Sequence, residues 1–188
     1  MRVIALLGTL LLSTSLFAEN CTYSIKASDL DLSWKAFKTP LKIGVGGKFN
    51  QLGVKDQSAS SLRDLVEGIK FDIDTNSTDT GNPDRDKKIV KFFFQNMDES
   101  SNITGETLTL AKKVLTVRIK MNKFSRDIPL KFTKTDNSFE AKGVIDVFDF
   151  GLNKSLAGIN KACEALHEGK TWSDVEVVLS AKYSKSCK

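Results

Sequence analysis

The chain has 188 residues, 40% hydrophobic and 27% charged, with 28 basic against 23 acidic side chains and a net charge of +5. That is long enough for one domain with a substantial core, and the two signs are scattered without a block of either, which argues against a nucleic-acid partner. A single histidine, and three cysteines of which no two are close in sequence, argue against a metal centre, a histidine-based nucleophilic triad or a bound cofactor.

Residues 1–18, MRVIALLGTLLLSTSLFA, carry a single charge at Arg2, an apolar run from Val3 to Leu12 and a small residue at Ala18. This is the pattern of a secretory signal peptide cut after Ala18. A membrane anchor is the weaker reading, since the run is shorter than the ~20 residues a span needs. Glu19 and Asn20 before Cys21 argue against lipidation there. The expected product is one exported domain over residues 19–188 with no stable membrane span.

From here on, period-two alternation dominates. Residues 28–37 place Leu30, Leu32, Trp34 and Ala36 on one face, and 41–53 do the same with Ile43, Val45, Gly47 and Phe49. The glycines of GVGG (44–47) lack the third glycine of a dinucleotide fingerprint and any Gly-Lys-Ser/Thr ending, so they read as a bend or bulge in a strand. IKFDID gives Ile69, Phe71 and Ile73 against Lys70, Asp72 and Asp74, which places both carboxylates in solvent. DTNST contains an Asn-x-Thr glycosylation acceptor at Asn76. NPDRDKKIVKFFFQNM (82–97) has Asn82 as N-cap, Pro83 at the first helical position and Asp84 and Asp86 in the first turn. The apolar residues of that helix spread over roughly 200° of its circumference, wider than packing on one surface requires. It is therefore wedged between two layers, or it covers something other than a solid core. Arg85 and Asp86 read as a structural salt bridge at its start, with head-group binding the alternative.

Further along, residues 101–110 form a weaker strand. Leu115, Val117, Ile119 and Met121 alternate with polar residues, and Ile128, Leu130 and Phe132 repeat the pattern. Residues 138–150, ending in Phe148, read as another strand, with Asp146 and Asp149 on opposite faces. Leu156, Ile159, Cys163 and Leu166 recur at helical spacing up to Gly169, and Val175, Val177, Leu179, Ala181 and Tyr183 close the chain as a strand. Eight mostly antiparallel strands with one apolar face each are expected to curl into an eight-stranded β-barrel with short helices, enclosing an apolar cavity. A two-sheet sandwich is the competing solution. The inward rows form the candidate ligand-binding surface: Trp34, Ile43, Val45, Phe49, Ile69, Phe71, Ile73, Val117, Ile119, Leu130, Phe132, Phe148, Val177 and Leu179, with Phe93 and Phe94 closing it. A filled core is the plainer alternative.

One segment, IDTNSTDTGNPDRDKKIVKFFFQNM (73–97), resembles the YceI-like family of periplasmic lipid-binding proteins. The likeness rests on Ile73, Asp74, Ser77, Thr80, Gly81, Asn82, Arg85, Asp86, Phe93 and Phe94. GKFNQL (47–52), ITGETLTL and FDFG (148–151) are similar to further pieces of that family. Two positions depart from its pattern: no histidine precedes Gly47, and Val147 stands where an arginine is common. The resemblance implies a lipocalin-like antiparallel barrel whose lumen holds a long-chain apolar ligand, such as a polyisoprenoid, an isoprenoid quinone or a fatty-acid derivative. It implies no catalytic residues and places the Phe-rich helix at the tunnel mouth. A lipid-modifying enzyme of isomerase type, a ligand-free structural protein and a homodimer remain as alternatives.

Three pairings of Cys21, Cys163 and Cys187 are open. In a closed barrel of even strand number the first and last strands are antiparallel neighbours, which favours Cys21–Cys187. The rival, Cys21–Cys163, would pin the second helix to the start of the barrel.

Overall fold

The alternating segments form strands in a computed structural model that describes residues 20–99 and 102–188; the leader expected at 1–18 lies outside them. In chain order the elements are β1 (Cys21–Ile25), β2 (Leu30–Lys38), β3 (Ile43–Phe49), β4 (Leu52–Gly53), β5 (Gln57–Ala59), α1 (Leu62–Val66), β6 (Lys70–Ile73), β7 (Thr78–Asp79), α2 (Pro83–Phe92), β8 (Ile103–Ala111), β9 (Val114–Met121), β10 (Phe124–Lys134), β11 (Ser138–Asp146), α3 (Asn153–Ala162), α4 (Glu164–His167), β12 (Thr171–Lys182) and β13 (Ser184–Cys187).

One antiparallel sheet, in the order β6-β8-β9-β10-β11-β12-β2-β3, curls into a half-barrel. Its two ends meet where β3 runs on into β4. Phe49 pairs with Thr78 of β7 and Leu52 with Ile73 of β6. Between them Asn50 N–H donates to Ser77 O at 3.0 Å and Asp74 N–H to Gln51 O at 3.3 Å. With β4 and β7 taken as continuations of β3 and β6, the eight expected strands are all present. The seam is zipped at that end only. Ile43–Gly47 pair with β2 and, among the described residues, with no second strand. The register from Lys38↔Ile43 to Ser33↔Lys48 is unbroken, so the glycines of β3 make no bulge.

The termini lie side by side, though in a separate sheet of order β13-β1-β5. Cys21 sits directly opposite Cys187, and the two form a disulfide, while Cys163 is a free, buried thiol. This small sheet and α1 close one end of the barrel. Leu65 and Val66 of α1 are fully buried, and Thr107 Oγ1 donates to Val66 O and accepts from Ile69 N–H. Phe132 and Phe139 stack with centroids 5.4 Å apart. That end is solid core.

The opposite end is covered by α2 and α3. Gly158 of α3 lies against Phe92 O and Asn96 of the turn after α2, so that a Cβ there would collide with both. The glycine lets the two helices approach closely. Helix α2 ends at Phe92, short of the helix expected to run to Met97, and a 3-10 turn follows at Phe94–Asn96. The wide arc read on a continuous helix is therefore not one helix face, and its rings are shared between the end of α2 and that turn. Asn122 ties the following segment down: its Oδ1 accepts from Asp98 N–H (3.0 Å) and its Nδ2 donates to Phe150 O (3.3 Å).

Candidate functional site

Between the curled sheet and the helices lies a cavity of about 510 Å³, within the range of roughly 300–1,000 Å³ typical of small-molecule sites. Its inner wall is β-sheet: Trp34 and Val45 from β2 and β3, Phe49, Phe71 and Ile73 beside the seam, and Val117, Ile119, Leu130, Val177 and Leu179 from the strands opposite. The roof is Ile89, Phe93 and Phe94, with Leu156 and Ile159 of α3 and Cys163 just after it beside them. Charged and polar groups, among them Lys38, Arg85, Lys88 and His167, stand at the helical end.

Local sequence explains how these side chains are placed. Trp34 lies over Gly47, its cross-strand partner, where a Cβ would strike the indole ring. The glycine therefore seats an aromatic in the wall. Phe94 meets Phe49 and Phe93 edge-on, at centroid distances of 5.9 and 5.2 Å. The stretch before α2 is a clamp. Gly81 adopts φ +73°, and Asn82 accepts from Arg85 N–H at 3.1 Å. Thr80 N–H donates to Asp86 Oδ1 at 2.9 Å, and the Thr80 hydroxyl donates to the same oxygen. Arg85 donates to Thr80 Oγ1 and Thr80 O, both at 2.8 Å. The expected Arg85–Asp86 salt bridge is not formed; both side chains hold Thr80 instead and so set the angle of α2 over the lumen.

The structure gathers Trp34, Val45, Phe49, Phe71, Ile73, Phe93, Phe94, Val117, Ile119, Leu130, Val177 and Leu179 around the cavity. It does not bring the other four there. Ile69 and Phe132 point inward but belong to the solid floor. Ile43 is 48% exposed at the rim. Phe148 is 50% exposed, because β11 stops at Asp146, whose carboxylate accepts from Phe148 N–H at 2.9 Å and starts a 3-10 turn. That turn swings Val147 inward in its place, where it lines the cavity. The α3 contribution was visible only as a helical stripe, since spacing shows a face but not what it covers.

His167 has a defined tautomer. The Thr171 hydroxyl donates to Asn160 Oδ1 at 2.8 Å, so at 2.7 Å from His167 Nδ1 it must accept. Nδ1 then carries the proton and Nε2 the lone pair. Burial, and then the charge of Lys38, hold the pKa of this ring below its ordinary value. The unfolded chain therefore binds this proton more readily than the folded one. The neutral ring's contribution is intact above the ordinary histidine value of about 6.5 and is lost as pH falls through the lowered folded value. His167→Gln should flatten the melting temperature between about pH 6.5 and 5, above the range where carboxylates titrate. An unchanged pH profile would show that the ring does not titrate with folding.

Among the described residues no cluster of three or more His, Cys, Asp or Glu could hold a metal ion, and no helix is long and apolar enough to cross a membrane. The profile of the YceI-like domain family matches residues 22–183. No curated protein matches the chain in sequence. Among solved structures, a polyisoprenoid binding domain from Saccharophagus degradans, implicated in plant cell wall breakdown, is 17% identical with a TM-score of 0.60, over 86% of this chain and 97% of that one. BcnA of Burkholderia cenocepacia is 13% identical with a TM-score of 0.59, over 85% and 99%. The YCEI protein of Campylobacter jejuni is 16% identical with a TM-score of 0.52, over 77% and 85%. At these identities the likeness is one of fold.

Proposed function

The chain belongs to the YceI-like domain family, and from that premise we propose that it is a periplasmic carrier that holds a long-chain apolar ligand in the barrel cavity. The observation that carries the reading is the cavity itself: about 510 Å³ walled almost wholly by Phe, Trp, Ile, Leu and Val. Such a wall rewards hydrocarbon and gives little to a polar substrate. Polyisoprenoids, isoprenoid quinones and fatty-acid derivatives fit that chemistry, and the Saccharophagus degradans domain is described as polyisoprenoid binding. The charged groups of the lining, Lys38, Asp84, Arg85, Lys88 and His167, stand at the helical end and leave the sheet wall to hydrocarbon, the surface that carriage needs. The Cys21–Cys187 bridge suits an oxidising compartment such as the periplasm.

A homologous series of fatty alcohols tests this directly. Each methylene taken from water contributes about 0.8 kcal/mol, so affinity should rise about fourfold per added carbon and level off once the cavity is full. Failure of every member to bind, or affinity independent of length, would leave the filled-core reading standing.

A further inference from the structure

The carrier reading leaves open how a ligand that hardly dissolves in water reaches the cavity. Among the described residues seven large hydrophobics are exposed. One of them, Leu166, lines the cavity, and two more, Leu41 and Ile43, belong to the turn and strand start beside Lys38, which lines it too. Leu41 is 83% and Leu166 60% exposed. Leu41 is the tip of the β2–β3 turn, and that tip is braced. Thr39 N–H donates to Lys170 O at 2.9 Å, Lys42 N–H to Thr39 O at 3.0 Å, and the Trp172 indole N–H to Thr39 O at 2.8 Å. The leucine is thus held out into solvent by a built turn. Leu166 lies on α4, directly before His167, which is bonded to Thr171 on the same rim.

The charges around these residues fit one kind of partner. Lys42 and Lys170 rest their ammonium groups over the two-ringed face of Trp172, 5.0 and 4.6 Å from its centroid. Trp172 itself lines the mouth. Lysines beside exposed leucines and a half-buried tryptophan match a phospholipid surface. The apolar tips enter the acyl boundary, the indole sits at head-group level, and the lysine stems reach back to phosphates. Lys42 is also paired with Asp174 at 2.8 Å, and Glu164 and Glu168 flank Leu166, so the rim has no large net charge. Insertion of the apolar tips leads, and anionic lipid adds to it. A second copy of this chain fits less well, since a two-fold contact would set the turn lysines against each other.

We propose that this rim docks transiently on a phospholipid bilayer, so that the ligand passes between membrane and cavity without crossing water. The proposal rests on the carrier reading, and its test separates the two. The purified protein is floated with vesicles of phosphatidylcholine, and of phosphatidylethanolamine with phosphatidylglycerol. Binding of a soluble fluorescent fatty acid is measured in parallel. The wild type should bind vesicles, more strongly with phosphatidylglycerol. Leu41→Asp, at an exposed turn position that does not line the cavity, should weaken vesicle binding about tenfold, slow probe transfer from vesicles, and leave binding of the free probe unchanged. Free-probe binding without vesicle binding would overturn docking and leave the carrier reading intact. Vesicle binding without probe binding would overturn the carrier reading. If Leu41→Asp instead dissociates a dimer and binds vesicles like the wild type, the rim is an interface between copies and docking is wrong.

Discussion

Removing the Cys21–Cys187 bridge should destabilise the protein by about 5 kcal/mol. The bridge joins residues 166 apart, and in the chain-entropy model a loop of that length lowers the denatured-state entropy by about this much. For a chain of this size the loss corresponds to a fall in melting temperature of about 10–20 °C, read by comparing the wild type with Cys21→Ser/Cys187→Ser. The bridge also has a local duty. β1 and β13 present mostly polar residues, and only Ile25 and Tyr23 tie the ribbon to the barrel, Ile25 by burial and Tyr23 through Tyr183 at 6.1 Å. Without the covalent link, β13 is held on β1 by backbone pairing and by the Lys185 ammonium over the Tyr23 ring at 5.8 Å. A fall of less than about 2 °C would mean that the small sheet frays independently and that barrel stability does not depend on it. Thiol titration gives a control: the native protein should show no reactive thiol, and one, Cys163, on unfolding without reductant.

The barrel strands were legible because one face of each is buried, and burial writes itself as alternation. Leu115, Val117, Ile119 and Met121 are the clearest case, and β9 follows them from Val114 to Met121. The small sheet was not legible. β5 (Gln57–Ala59) and β13 (Ser184–Cys187) are three and four residues of mostly polar side chains, and what makes them strands is pairing with β1 across the length of the chain. Helix α1 has five residues, too few for a period, although Ser61 accepting from Asp64 N–H marks its start. The strand expected over 138–150 stopped early because a capping carboxylate at Asp146 outweighed continued alternation. Alternation also fixes only whether a side chain points inward. It gives no depth, so Phe132 at the packed floor, Leu130 at the cavity and Ile43 at the rim carry the same signal in sequence. Depth is set by what closes each end, α1 at one and α2 with α3 at the other, and those contacts are long-range.

The triple phenylalanine is where structure and cargo can be told apart by mutation. Phe94 is buried, in edge contact with both Phe49 and Phe93. Phe94→Ala removes a ring from the junction of sheet and helix and should cost about 3–5 kcal/mol, a large share of the 5–15 kcal/mol that holds a typical domain folded. Phe94→Leu keeps most of the volume and serves as the folded variant for binding. Phe93 is different. It is the C-cap of α2, its N–H still bonded to Ile89 O at 2.9 Å, and its half-buried ring forms part of the cavity roof. Phe93→Ala leaves that backbone bond in place and opens the roof. Its stability loss should stay near 1–2 kcal/mol, because a half-buried ring forfeits only part of its burial energy. Its fatty-alcohol dissociation should accelerate about tenfold, since a lost aromatic contact of about 1.4 kcal/mol is one factor of ten. Thermal melts and stopped-flow release of a fluorescent fatty acid measure the two effects separately. If both alanine variants melt lower while release is unchanged, the rings are core packing and the lumen is closed by other residues. If Phe93→Ala changes release with little change in melting, the rings at the end of α2 stand there because one of their neighbours is the ligand.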